Sequence, residues 1–330
     1  MMKKTSFPIF IALSVLLVSF FLSYGKSADK VSVVNPLDSI VYQKSALNFI
    51  AFDDWGRSGE YNQKQVAQQM GKTAKNIKAE FIVSTGDNIY PSGVISEFDP
   101  GFKRSFEDIY TDFSLQVDWY LVLGNHDYKA DPNAEVAYSK ISRRWKMPAR
   151  YYSKKFSIKG DTAQKVLMVF TDMNTLIPSY YTSPEYGEQV RTQDSVIQKK
   201  WIEKTLSDPD KNIRWRIVVG HQPIYSGSGR KDSKETMALR GSLRPLWEKY
   251  NVDVYLTGHE HNLQHIVPQG KTQYFISGAG SETTPVDLLP ESRFAASVPG
   301  FMVFSILKDQ LLVQMVDADG KLIYHTSIKK

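Results

Sequence analysis

The chain has 330 residues, enough to bury one large core, and no cysteine, which excludes disulfides, thiolate metal ligands, a cysteine nucleophile and a lipoprotein attachment site. Its formal net charge of +6 is spread in pairs such as Arg143-Arg144 and Lys154-Lys155. That pattern favours approach of anionic substrates and reads as a solvated basic surface, with no nucleic-acid footprint.

The first feature in chain order is an export signal over residues 1–25. Lys3 and Lys4 precede an apolar run from Phe7 to Leu22, and Ser23 and Gly25 are small residues at suitable cleavage positions. The run is shorter than the roughly 20 residues a spanning helix needs. A retained signal anchor is the alternative. Cleavage would remove two lysines and no acids, lowering the charge from +6 to +4. The expected product is exported, periplasmic or secreted, with no stable membrane partner once the signal is gone. Residues 26–44 read as a polar linker and 45–330 as a single domain.

Within the domain, short apolar runs rich in β-branched residues predict strands at 47–52, 81–84, 120–123, 166–171, 217–219 and 252–256. Helical patterns lie between them at 62–78, 102–111, 134–145, 193–206 and 234–250. The C-terminal part predicts strand after strand, at 264–267, 273–276, 301–307, 310–316 and 322–327, with Asp-Ala-Asp-Gly at 317–320 as the last turn. This alternation predicts an α/β fold.

Five short blocks follow predicted strands: Asp54-Trp55-Gly56, Gly86-Asp87-Asn88-Ile89-Tyr90, Gly124-Asn125-His126-Asp127, Gly220-His221 and Gly258-His259-Glu260-His261. In open α/β sheets ligands bind beyond the carboxyl ends of the strands, so all five point at one sheet edge. No single block is decisive, because a Gly-Asp at a strand end is commonly a turn and a lone histidine commonly a satisfied polar residue. Together, in order, they supply oxygen anions, an amide and imidazoles to one place, which suits two adjacent cations.

These blocks resemble the calcineurin-like metallophosphoesterases and, through Tyr90 three residues after Asp87, the purple acid phosphatases among them. Gly86 to Tyr90, Ala137 to Trp145, His259 to Gln264 and Ser277 to Gly280 are similar to the small, tartrate-resistant acid phosphatase branch, over roughly residues 46–328. The resemblance implies a four-layer αββα sandwich of two mixed sheets flanked by helices. It implies a binuclear centre in which Asp54, Tyr90 and His261 hold Fe(III), Asn125, His221 and His259 hold a divalent iron, zinc or manganese, and Asp87 bridges the two. The implied activity is hydrolysis of phosphomonoesters, small molecules or phosphoproteins, by attack of a metal-bound hydroxide at acidic pH. The Tyr90 phenolate would give the colour that names the family.

His126 is not needed as a ligand in that scheme and is the expected proton donor to the leaving alkoxide. Asp127 either orients the His126 ring or serves as a cap or turn residue. The family usually has glycine where this chain has Asp53 and Arg57. Strand alternation would point Asp53 away from Asp54, giving it a structural role. Arg57 either grips phosphate oxygens or faces solvent. The loop after His221 lacks the histidine of mammalian members, and its Gly227-Ser228-Gly229 with Arg230 and Lys231 reads as a flexible basic rim or an ordinary exposed loop. His265 is assigned a structural or outer-pocket role, and Trp55 packs near the site without being a ligand. Two other readings share this fold: a phosphodiesterase or nucleotidase, against which Tyr90 speaks, and a non-catalytic phosphate-binding module, against which the complete ligand set speaks. The sequence leaves the substrate, the divalent metal and the oligomeric state open.

Overall fold

A computed structural model describes residues 39–330. The expected export signal over residues 1–25 and most of the expected linker lie outside the described residues. Residues 39–46 carry no strand or helix, yet Val41 is tied to the domain: its backbone N–H donates to Gln314 Oε1 at 2.7 Å and its carbonyl accepts from Gln314 Nε2 at 3.0 Å.

Two seven-stranded mixed sheets form the centre. In spatial order the first runs Leu322–Lys329, Gln310–Asp317, Gly300–Ile306, Leu47–Phe52, Phe81–Ser84, Asp118–Leu121 and Trp145–Lys146. The second runs Ser292–Ala296, Leu263–Ile266, Gln273–Ser277, Val254–Thr257, Ile213–Val219, Asp161–Phe170 and Tyr152–Ile158. Leu47–Phe52, Phe81–Ser84 and Asp118–Leu121 pair in parallel, and so do Asp161–Phe170, Ile213–Val219, Val254–Thr257 and Gln273–Ser277.

The continuous apolar runs follow from burial on both faces. Along Leu47–Phe52, successive side chains alternate between layers. Leu47, Phe49 and Ala51 join Met168, Ile217, Phe275 and Phe304 between the sheets, where Phe49 stacks on Phe81 and Phe304. Ile50 and Phe52 face the other way, into the layer holding Val66, Met70 and Ala74 of helix Gln63–Ile77. The second sheet behaves likewise: Ile217 and Val219 point between the sheets, while Val218 shares a layer with Leu239, Leu243 and Trp247 of helix Lys234–Lys249. Helices therefore cover both outer faces, giving the expected αββα sandwich.

Some elements differ from expectation. The helix foreseen over 134–145 spans only Pro132–Tyr138, started by Asp131, whose side chain accepts from Asn133 N, and by Pro132 in the first turn. Beyond it Arg144 pairs with Glu107, and Trp145 enters the first sheet against Trp119. Strand Tyr152–Ile158 was not foreseen. It is an edge strand whose Lys154 and Lys155 face solvent, a charge pattern that hides a strand in sequence and guards an open edge.

Candidate metal centre

The parallel strands of both sheets end at one place. Phe52 leads into Asp53 and Asp54, Ser84 into Asp87, and Leu121 into Asn125 from the first sheet; Val219 leads into His221 and Thr257 into His259 from the second. The backbone there is unusual. Asp54, Asp87 and His259 have φ of 58°, 42° and 68°, in the left-handed region that non-glycine residues seldom occupy. Such strain collects where the surroundings demand a particular side-chain direction, as at binding sites. Gly124 leaves room for this crowding, since a Cβ there would stand 2.1 Å from Asp87 Oδ1.

Two donor clusters result, joined by one carboxylate. Tyr90 Oη lies 2.8 Å from Asp54 Oδ1, 2.9 Å from Asp87 Oδ2 and 3.2 Å from His261 Nε2. The other Asp87 oxygen, Oδ1, lies 3.3 Å from His221 Nε2, which is 3.2 Å from His259 Nδ1. Asn125 adjoins this second group: the next backbone N–H, of His126, donates to Asp87 Oδ1 at 2.7 Å. The buried Asn125 Oδ1 has no hydrogen-bond partner. Atoms of Asp87, His221 and His259 all lie within 4.8 Å of one another, as do atoms of Asp53, Asp54 and His221.

The electrostatics are those of a buried, acid-rich cluster. Burial works to lower the His221 imidazole, yet the charges of Asp87 and Asp53 hold it well above its ordinary range. Burial and the charges of Asp54 and Asp87 push the Tyr90 phenol well up, so a bound cation would displace protons from both. Burial works to raise the Asp87 carboxyl, yet the neighbouring His221, His126 and His259 hold it well below the usual carboxylate range. Burial, then the charge of His221, pushes His259 well below an ordinary imidazole, keeping it in the neutral form that a metal requires. Lone pairs converging at about 3 Å, together with a buried amide oxygen lacking any donor, form an arrangement that a cation satisfies and a proton network leaves incomplete. Tyr90, Asp54, Asp87 and His261 fit a hard ion; Asp87, Asn125, His221 and His259 fit a borderline one. The residues expected as ligands are thus brought to one place, with Asp87 between the Tyr90 and His221 groups.

The remaining expected residues take more varied places. His126, its side chain 26% exposed, lies beside the Tyr90 ring with centroids 4.3 Å apart. Its Nδ1 is 2.5 Å from Pro91 O, which can only accept, so Nδ1 carries a proton and Nε2 is the free position, 3.9 Å from Asp87 Oδ2. Asp127 does not hold the His126 ring. It accepts from the backbone of Gly124, Asn88 and Ile89 and so locks two ligand-bearing turns together, which selects the turn role. Burial and the charge of Asp87 push its carboxyl up to about 7, and burial and the charge of Asp127 push neighbouring Glu135 well up.

Arg57 is neither free nor solvent-facing. Its guanidinium lies 3.7 Å over the Tyr90 ring, Nε donates to Ser281 Oγ and Nη2 pairs with Glu282 at 2.9 Å, with the side chain 14% exposed. These donors are spent inside the protein. Arg230 is half-exposed, 3.3 Å from Glu260 Oε2. The loop that reads as a flexible basic rim or an exposed loop is anchored: Ser226 and Ser228 are buried, and Gly227 N donates to Gln264 Oε1. Trp55 is buried and donates to Ser84 Oγ, beneath the site as expected.

Sequence reasoning missed Asp53. Its Oδ2 lies 2.9 Å from His221 Nδ1, because the strand stops at Phe52 and the turned backbone of Asp54 ends the alternation. It also missed Glu235, whose Oε1 lies 3.4 Å from His259 Nε2; a helix-start glutamate gives no signal of such a role.

Residues 49–263 match the calcineurin-like phosphoesterase family. The chain is 37% identical to purple acid phosphatase 4 of Arabidopsis thaliana, covering 86% of this chain and 84% of that one. It is 33% identical to tartrate-resistant acid phosphatase type 5 of Oryctolagus cuniculus, covering 86% and 91%. Among solved structures it is similar to GAP50, the anchor in the inner membrane complex of Plasmodium, with a TM-score of 0.75, 26% identity and coverage of 87% and 89%. The chain therefore belongs to the calcineurin-like phosphoesterases and, within them, to the purple acid phosphatases of the small, tartrate-resistant type.

Proposed function

We propose that this chain is an exported acid phosphatase that hydrolyses phosphomonoesters at a binuclear Fe(III)–M(II) centre, M being iron, zinc or manganese. One observation carries the reading: Asp87 divides its two oxygens between a cluster containing a phenol and a cluster of two imidazoles. Asp54, Tyr90 and His261 would hold the trivalent ion, and Asn125, His221 and His259 the divalent one. Bound there, the two cations would supply positive charge to the attacking and leaving oxygens of a phosphoryl displacement.

The protein's own side chains supply the rest. Pro91 O keeps one proton on Nδ1, so it is the doubly protonated His126 ring that would pass its second proton, from Nε2, to the departing alkoxide and be left neutral. The Tyr90 ring packs beside it. Arg230, half-exposed and 3.3 Å from Glu260 Oε2, would lend its charge to the approach of an anionic ester. Among the described residues no helix is long and apolar enough to cross a membrane. The basic, apolar start of the chain supports export.

The test is metal analysis and a visible spectrum of the purified protein, with a panel of phosphate esters assayed from acidic to neutral pH. Iron with a phenolate band, and monoesters cleaved faster than diesters, are expected. An active, colourless, iron-free protein would refute the Fe(III) assignment; faster diester cleavage would favour a phosphodiesterase; metal-loaded but inactive protein would favour a binding module.

A further inference from the structure

We propose that Asp53 is a positioning residue for the metal centre. Together with the Thr85 carbonyl it holds the His221 imidazole in the tautomer and orientation that turn Nε2 toward the divalent position, and its carboxylate adds to how tightly that ion is held. The inference rests on the binuclear reading above.

His221 and Asp53 are both fully buried, so no water competes for the contact. His221 Nδ1 lies 2.9 Å from Asp53 Oδ2 and 3.1 Å from Thr85 O. A carbonyl oxygen only accepts, so Nδ1 is protonated, and in the neutral ring that a metal requires Nε2 carries the lone pair. That Nε2 is the atom facing Asp87 Oδ1 and His259 Nδ1. The position has a matched partner in the chain. A Cβ on Gly258 would stand 1.5 Å from Asp53 Oδ2, so the carboxyl fits only because residue 258 is glycine.

The other two imidazoles are held less firmly at their outer nitrogens. His259 Nε2 lies 3.4 Å from Glu235 Oε1 and His261 Nδ1 lies 3.8 Å from Glu282 Oε2, and neither nitrogen makes a hydrogen bond. A carboxylate that accepts from the outer nitrogen fixes a ligand ring and raises its basicity, and losing such a partner costs about 10–100-fold in metal affinity. The aspartate therefore strengthens the divalent side selectively, because His221 faces the divalent group and not the Tyr90 group.

Full-length Asp53→Gly and Asp53→Asn proteins, loaded with iron and zinc, are dialysed against graded chelator, and both metals, the visible band and the melting temperature are measured. In Asp53→Gly the apparent Kd for the divalent ion should rise about 10–100-fold, with iron and the band retained. Asp53→Asn keeps the size and can still accept from Nδ1, so it should show a smaller rise, and it decides the matter if the glycine variant does not fold. Wild-type divalent affinity in the folded variants would overturn the inference, as would parallel loss of both metals with a lowered melting temperature. Wild-type protein that holds no second ion would instead sink the binuclear reading together with this one.

Discussion

His265→Phe tests how the seam between the two sheets responds to acid. The buried His265 sits on a strand of the second sheet, stacked 4.3 Å from the Phe275 ring. Its Nε2 is 3.0 Å from Gln273 Oε1, and its Nδ1 is 2.9 Å from Tyr324 Oη on the first sheet. The neutral ring donates to Gln273 and accepts from Tyr324. Burial depresses its pKa from 6.5 to about 4. An unfolded chain therefore takes up a proton below about pH 6.5 that the native ring refuses until about pH 4. The native state keeps its full stability above pH 6.5 and loses it progressively as pH falls toward 4. At about 1.4 kcal/mol per unit, the loss is about 2.7 kcal/mol at roughly pH 4.5 and about 3 kcal/mol at the bottom of the window.

Phenylalanine cannot titrate but gives up two hydrogen bonds, each worth about 1 kcal/mol. The variant should be the less stable protein at neutral pH and the more stable near pH 4.5. Urea unfolding of both proteins, followed by tryptophan emission at the two pH values, measures this. Comparing variant with wild type cancels the many other titrating groups, which lie elsewhere. A stability difference that does not move between the two pH values would refute the reasoning, since the folded ring would then titrate like a free one.

Tyr90→Phe should abolish the visible band while the circular dichroism spectrum persists; a retained band would assign the colour to another group. His126→Ala should lower kcat by about 10²–10⁴-fold with both metals retained, and metal loss on elemental analysis would mean that its role had been misassigned. Arg57→Ala should move the visible band, because a cation lying on the Tyr90 ring is removed, and leave KM for a monoester unchanged; a raised KM with an unmoved band would return Arg57 to the substrate. Chelation should lower the melting temperature, since ions that bind only the native state add about 2.7 kcal/mol at roughly 100 times their Kd. An unchanged melting temperature in a calorimeter would argue against tight binding.

The central strands were legible because both their faces are buried, so Leu47–Phe52 and Val254–Thr257 are apolar throughout. The ligand residues were legible because strand ends and glycines mark sharp turns. Other features depended on distant partners. Arg144 and Trp145 look helical locally, and only Glu107 and the first sheet draw them out of a helix. Asp53 was misjudged because alternation assumes a strand that continues, and the left-handed turn at Asp54 is set by tertiary contacts. Arg57 looked available because nothing in its neighbourhood announces Glu282, more than two hundred residues away. The segment around Gly227 and Ser228 reads as exposed or flexible, yet Asn262 donates to Ser228 Oγ and Gln264 accepts from Gly227 N.

The division of the donors between the sheets bears on how the molecule assembles. Asp54, Asp87, Tyr90 and Asn125 arrive on one sheet, His221, His259 and His261 on the other, and the His259 backbone meets Asp54 across 205 residues of chain. Neither sheet alone can make a complete cradle. Cation uptake should therefore come late in folding, once the two halves have closed. Bound metal would then act as a latch on that closure, and a chain stalled half-folded would be recognisable by its failure to take up metal.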